Sequence, residues 1–422
     1  MTEFENISAM PAPTWHFLKA NDTQIEIPDG LAISLRVEAN VPDDARGAAD
    51  AFERALAAAQ EAWEKAHPAL TDEERAERAA FLAAEADATY GGTAQSAYQA
   101  RADALEEARS LAAAFEHGTG AETAAFLRDA AGERIVICAE AGRAVAAQVV
   151  VTAVPDAISV AAIDVIAGSR STVNLSLVIS GTESSEDFVP LGIAGTTVRV
   201  FADADSHVGI FRTQALDEGF TDIDDMGLFA ADSAYIDVRQ TALGGSRTYT
   251  GLAGDLRGEA AQTVVNTRYL GHGEQEHDFN YMLRHHGPKS KCTMQANGVL
   301  AGKSRKTLRG TIDLVRGCKG AEGTENETVL LVDDGVRNKT VPVILCNEDD
   351  VAGNHGATIG HIRDEQMFYL ATRGLSKEAA ERMFVGAVLE QAVLDAPDET
   401  ARTAILRLGT QLQPGFAELF EE

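Results

Sequence analysis

The feature that most constrains the fold lies between about residues 131 and 370. Short β-type runs succeed one another there with no convincing helix between them. Ile135-Val136-Ile137, Val149 to Val151, Ile158 to Ile166 and the alternating Val173, Leu175, Leu177 and Ile179 open the series. Val198 to Phe201, Tyr235 to Val238, Thr263 to Val265, Gly310 to Val315 and Val329 to Val332 continue it. Gly, Asp, Asn and Ser punctuate the runs, the composition expected of strands divided by tight corners. Strands this numerous, separated by single glycines and polar corners, favour a β-helix in which each turn covers the apolar face of its neighbour. No strict repeat motif is legible, so a tandem β-sandwich stays open as the alternative.

Both flanks have a different period. From about Asp43 to Arg128 the chain is rich in Ala and Glu, with Leu105, Ala108, Ala112 and Phe115 at helical spacing. Thr71 and Glu74 form a capping-box pair, while Gly91-Gly92 and Gly118 divide the run into separate helices. Leu31 to Val37 reads as a short strand before them. After Ala371, Ser376 is placed to cap a helix carrying Ala380, Phe384, Ala387, Val388 and Gln391. Pro397 separates it from a second helix through Ile405 and Leu406, and Phe416, Leu419 and Phe420 supply another apolar face. The predicted fold is mainly β: a right-handed parallel β-helix core over 131–370, a mostly helical region over 1–130 and a helical domain over 371–422.

A formal charge of −29, from 36 Lys and Arg against 65 Asp and Glu, repels nucleic-acid backbones and anionic lipid heads, so direct nucleic-acid or membrane binding is not expected. No apolar run reaches the length of a membrane-spanning helix, and a cytoplasmic location is expected. The four cysteines, Cys138, Cys292, Cys318 and Cys346, are far apart and form no CxxC pair, which leaves no disulfide framework or self-contained zinc or iron-sulfur motif. GxxxxGK[ST], GxGxxG after a strand and GxSxG are all lacking; GLAGDLRG has the wrong spacing.

His272, His277, His285, His286, His355 and His361 gather in one part of the chain, a density that raises the prospect of metal or proton chemistry. HGEQEH is neither HExxH nor HxxEH, and on a strand His272 and His277 face opposite sides, so surface or rung-packing roles are expected for these two. CNEDDVAGNHGATIGH is the densest polar segment after the β region. Cys346, Asp349, Asp350 and His355 are ligand-capable there, and Gly353 and Gly356 permit close approach around His355. Two side chains rarely hold a cluster alone, so the incomplete set points to ligands from another subunit. The alternative is a polar turn with one hydrogen-bonded histidine. Cys292 and Cys318 read as buried hydrophobes, and Arg305, Lys306 and Arg309 as a small basic patch.

HHGPKSKC at 285–292, the Arg309-Gly310 pair, TENETVLLVDDG at 324–335 and EDDVAGNHGATIGHIRDEQMFYLATRGLSKEAAERMF at 348–384 resemble the C-terminal core of the SufB/SufD family, over about residues 268–390. The NHGAT segment resembles the SufD branch, and the N-terminal Pro13 to Phe17 is similar to a tryptophan-containing segment of the family. The resemblance implies a parallel β-helix with a C-terminal helical domain that docks a SufC-like ABC ATPase. It also implies pairing with a SufB-like paralogue and a role as non-catalytic scaffold in an iron-sulfur cluster assembly complex. Self-pairing, and a stand-alone polysaccharide-acting β-helix enzyme, are the alternatives. ATP is then bound by the partner, and no cofactor is bound stably by this chain; a transient cluster forms at the subunit interface. His355 matches the histidine that assists or ligates the nascent cluster, with Cys346 a second candidate, and Phe384 and Val388 are candidates for ATPase docking or internal packing. Gly353 departs from the family pattern, where cysteine is common, and puts any role of that cysteine in doubt here.

Overall fold

Alternation of apolar and polar residues along a strand places every second side chain on one face. Val173, Leu175, Leu177 and Ile179 do this in strand Thr172–Gly181, and all four are fully buried. The computed structural model describes residues 2–11, 19–66, 118–181, 191–362 and 364–420. In it, successive strands alternate between two nine-stranded sheets. One sheet, here sheet 1, steps in parallel register from His207 to Tyr235, Gln262, Lys291, Glu322 and Ala352. Sheet 2 steps from Thr221 to Arg247, Glu276, Arg305 and Arg337. The result is a parallel β-solenoid of about eight turns. Strands of one sheet pair two places apart in chain order, which rules out the sandwich.

The lumen is filled by the inward face of each strand. Residues such as Val149, Leu177, Val198, Leu228, Leu252, Leu283 and Ile312 form one continuous cluster. Each such side chain contributes about 1.5–3 kcal/mol on burial, so the stack, not any single turn, carries the stability.

The outer face of sheet 2 is covered by the N-terminal residues. Strands Thr2–Ile7 and Thr23–Ile27 form an antiparallel hairpin, and Phe4, Ile7, Ile25 and Ile27 pack with Leu127 against Ile158, Val160 and Ile193. Ala32–Ser34 joins sheet 2 in parallel, and Val37–Asn40 joins sheet 1 antiparallel. The described N-terminal residues are a mixture of strand and helix, with α1 at Ala51–Ala66 and α2 at Ala121–Ala130. The Thr71/Glu74 pair, Gly91-Gly92, the stripe from Leu105 to Phe115 and most of Pro13 to Phe17 lie outside the described residues.

Three helices follow the last strand: α3 at Asp364–Thr372, α4 at Lys377–Leu394 and α5 at Glu399–Leu412. Ser376 caps α4 by accepting from the Ala379 amide, and Asp398 caps α5 by accepting from Ala401. The α4/α5 hairpin folds back over sheet 1, where Leu389, Val393, Ile405 and Leu408 meet Val178, Leu243, Leu270 and Val299. Arg407 fastens it by donating to Asp217 at 2.6 Å and to the Ala215 carbonyl at 2.9 Å. Among the described residues no helix is long and apolar enough to cross a membrane.

Candidate functional site

Among the described residues, no strand caps the C-terminal end of the solenoid. Among the described residues Ala352–His361 pairs only with Glu322–Leu331, and Arg337–Cys346 only with Arg305–Leu314, so there each sheet closes on a strand with one open edge. Ala352–His361 is exposed along almost its whole length. A side chain at Gly353 would meet Ile344 Cγ2 at 3.0 Å and Leu314 Cδ1 at 3.5 Å, which sets the parity of the strand. Gly353, His355, Ala357 and Ile359 share the lumen-directed face. His355 thus sits over the lumen mouth, in register with Glu325 on the strand below.

Cys346 ends strand Arg337–Cys346, is exposed, and donates from Sγ to the Glu348 carbonyl at 3.2 Å. The acidic turn after it is fixed to the turn beneath. Glu348 accepts from the Gly317 amide at 2.9 Å and from Asp349 at 3.0 Å, and these backbone donors hold its carboxyl below the usual range. Asp350 faces Lys319 at 3.8 Å. Asp350 therefore serves the corner, while His355 and Cys346 remain at the open end. Among the described residues no three His, Cys, Asp or Glu side chains converge as a metal-holding set.

Beneath the mouth lies a buried polar group that sequence reading missed. Lys306 donates to Glu327, to the Lys339 carbonyl at 3.2 Å and to Thr340 Oγ1 at 3.2 Å, and Tyr269 donates to Glu327 at 3.0 Å. Burial lowers the Lys306 ammonium and raises the Tyr269 phenol well above its ordinary value. Glu325, 3% exposed, has no partner for Oε2, and burial, with Glu327 nearby, pushes its carboxyl up to about 7. The signal available in the sequence was parity: Glu325 and Glu327 stand two apart on a strand and so face the same way, into the lumen.

The histidines separate into two groups. His277 is buried, its Nε2 3.1 Å from the Leu270 carbonyl and its ring stacked on Phe279; His285 is buried with Nδ1 2.8 Å from Ser290 Oγ. Burial pushes each down to about 4. His286 lies 2.7 Å from Asp255, and His272 occupies a turn and not a strand. Only His355 and His361 of this group lie on the terminal strand. Cys292 and Cys318 are buried, as their reading as hydrophobes required, and burial pushes them up to about 12 and about 11.

The basic patch does not exist as a surface. Arg305 is exposed, but Lys306 points into the lumen, and Arg309 is buried under the N-terminal segment. Arg309 donates to Asp278 at 2.7 Å and to the Ala20 carbonyl at 2.6 Å. Alternation along one strand sends Lys306 and Arg309 to opposite faces, and each is neutralised locally. Phe384 and Val388 are half-buried against the α4/α5 cluster. The exposed apolar side chains of the C-terminal region include Phe368 (72%), Tyr369 (56%), Met383 (45%), Leu394 (68%) and Leu419 (65%).

The class of protein defined by this architecture is a parallel β-solenoid whose C-terminal helical hairpin packs back on one sheet. The family described as SUF system FeS cluster assembly, SufBD core domain, matches residues 149–388, and the chain belongs to that family. It is 29% identical over 161 residues to the iron-sulfur cluster assembly protein SufD of Bacillus subtilis, covering 38% of this chain and 36% of that one. It is 26% identical over 221 residues to SufD of Escherichia coli, covering 52% of each, and 27% identical over 146 residues to SufB of Bacillus subtilis, covering 35% of this chain and 31% of that one. The aligned portions span about a third to a half of these relatives.

Proposed function

We propose that this chain is a scaffold subunit without turnover of its own, on which a nascent iron-sulfur cluster is assembled as substrate between its terminal rung and a second SufB-like chain. The observation that carries the reading is the bare edge of strand Ala352–His361. Solvent-facing edge strands are usually guarded by Lys, Pro or a covering segment, because their open amides and carbonyls recruit other strands. Sheet 2 has such guards in Lys339 and Pro342 on Arg337–Cys346, whereas Ala352–His361 is built of Gly, Ala, Asn, Thr, Ile and His. A partner strand adding to sheet 1 would bury His355 at the junction, where imidazole serves as ligand or proton acceptor, with Cys346 beside the same opening.

In this reading a SufC-like ATPase docks on the C-terminal helices through Phe368, Tyr369 and Met383, while Phe384 and Val388 hold the hairpin to the body. The helix α3 follows the terminal strand almost directly, so a pull on α3 is delivered to the strand bearing His355. ATP is bound and hydrolysed by that partner. The system is read as cytoplasmic, in keeping with the cluster assembly it would serve.

Anaerobic native mass spectrometry of the chain co-expressed with its SufB-like and ATPase partners tests the arrangement. A mass of this chain plus one paralogue and two ATPase chains supports it, and a homodimer carrying two ATPases replaces the paralogue by a second copy. Absence of ATPase association overturns the docking. His355→Ala is expected to leave the complex intact and lower cluster formation; undiminished formation removes His355 from the site.

A further inference from the structure

A glycine in the middle of a strand weakens it and commonly marks a place where another group comes close. Gly310, in strand Arg305–Leu314 of sheet 2, is such a place. A β-carbon built there would lie 2.1 Å from Glu325 Oε1 and 2.5 Å from Oε2. The Glu325 carboxyl therefore crosses the lumen and rests on the bare backbone of Gly310, and any side chain at 310 would expel it. Its neighbour Glu327 is fully engaged by Lys306, Tyr269 and Thr340, whereas Glu325 Oε2 is buried with no partner.

A buried oxygen left without a donor is costly, by about 1–3 kcal/mol, and a fold that reserves a glycine to hold one has a use for it. The next inward-facing residue along the stack is His355, the register partner of Glu325 in the terminal strand. Adjacent strands lie about 4.8 Å apart, which places the imidazole one strand spacing from the strand that carries the carboxyl.

We propose that Glu325 is the positioning residue for His355: seated on Gly310, it accepts a hydrogen bond from one imidazole nitrogen, fixes the tautomer and turns the other nitrogen outward to the open end. A carboxyl behind a histidine orients the ring and makes the free nitrogen a better ligand or proton acceptor, and removing such a partner commonly costs 10–100-fold in metal affinity or activity. The inference rests on the reading of His355 as the working residue of the terminal rung.

The test is the 15N spectrum of the full chain with labelled histidine, the His355 signals being assigned by their loss in His355→Ala. In the unaltered protein one tautomer is expected to dominate, giving widely split ring-nitrogen shifts. Glu325→Ala should bring the two shifts together, and Gly310→Ala, which displaces the carboxyl without removing it, should do the same. Glu325→Gln keeps an acceptor and should restore part of the splitting, and a melting temperature kept by Glu325→Gln separates positioning from misfolding. Shifts unchanged in both Glu325→Ala and Gly310→Ala overturn the proposal, whatever the outcome for cluster assembly. If the shifts respond but His355→Ala leaves assembly undiminished, the contact stands and the role of His355 falls. In the reconstituted complex, where His355→Ala itself lowers assembly, the expected loss of rate in Glu325→Ala is about 10–100-fold, and a rate within twofold of the unaltered protein then overturns the proposal.

Discussion

Lys306 and Glu327 form an ion pair across the lumen, from strands of opposite sheets, with neither side chain more than 1% exposed. Removing one member leaves the other charged and dry, at a cost of about 3–5 kcal/mol, whereas replacing both by apolar residues of similar volume is far milder. Lys306→Met and Glu327→Leu should each lower the denaturant midpoint strongly, and the double variant should recover much of the loss. Single variants that unfold within about 1 kcal/mol of the unaltered protein would contradict the pair's isolation.

Arg407 ties α5 to the body through Asp217 and the Ala215 carbonyl, and its side chain is only 21% exposed. Hydrogen bonds to charged groups contribute about 1.5–3 kcal/mol, so Arg407→Ala should loosen the helical hairpin while the solenoid stays closed. Hydrogen exchange would then quicken in α4 and α5 and be unchanged in strands such as Thr172–Gly181. Equal acceleration in both regions would show that the hairpin has no stability of its own to lose.

His277 and His285 are neutral in the fold down to about pH 4, while an unfolded imidazole takes up a proton below about 6.5. The unfolded state binds more protons in that window, so their contribution is complete above pH 6.5 and is lost as pH falls toward 4. Each site accounts for up to about 3 kcal/mol of the total loss across this window. Chemical denaturation from pH 7.5 to 4.5 should show the decline, and His285→Gln should flatten it. A parallel curve for that variant refutes the assignment.

Phe368 and Tyr369 place apolar surface in water near the exit from the terminal strand. Phe368→Ser with Tyr369→Ser should leave the melting temperature within a few degrees, since exposed positions carry about ±0.5 kcal/mol, and should weaken ATPase capture at least tenfold. Undiminished capture would move docking to another face.

The β-helix was legible because its signal is repeated: Val173, Leu175, Leu177 and Ile179 state the period in one strand, and many later strands say it again. What stayed hidden depended on which strands become neighbours. Lys306 and Arg309 look like one basic patch when read in order, yet their faces are opposite and their partners, Glu327 and Asp278, come from separate turns. His355 was singled out by resemblance and by its polar surroundings, and the fold places it on the exposed terminal strand. Glu325 was passed over inside a quoted segment, because only the fold brings it beneath His355 and onto Gly310. The N-terminal hairpin was missed for a related reason: Phe4, Ile7, Ile25 and Ile27 are too few to announce strands until sheet 2 gives them a surface.

A stack of turns is stabilised by contacts between nearest neighbours. Interior turns are gripped from two sides, while the turn holding Ala352–His361 is gripped from one. Fraying is therefore expected at the histidine strand, and under the proposed pairing a second chain seated there would convert an end rung of the solenoid into an interior one. Under the proposed pairing, assembly and local folding would be a single event: the terminal strand would be held on both edges only once both chains are present, and a lone subunit would have no completed site to misload.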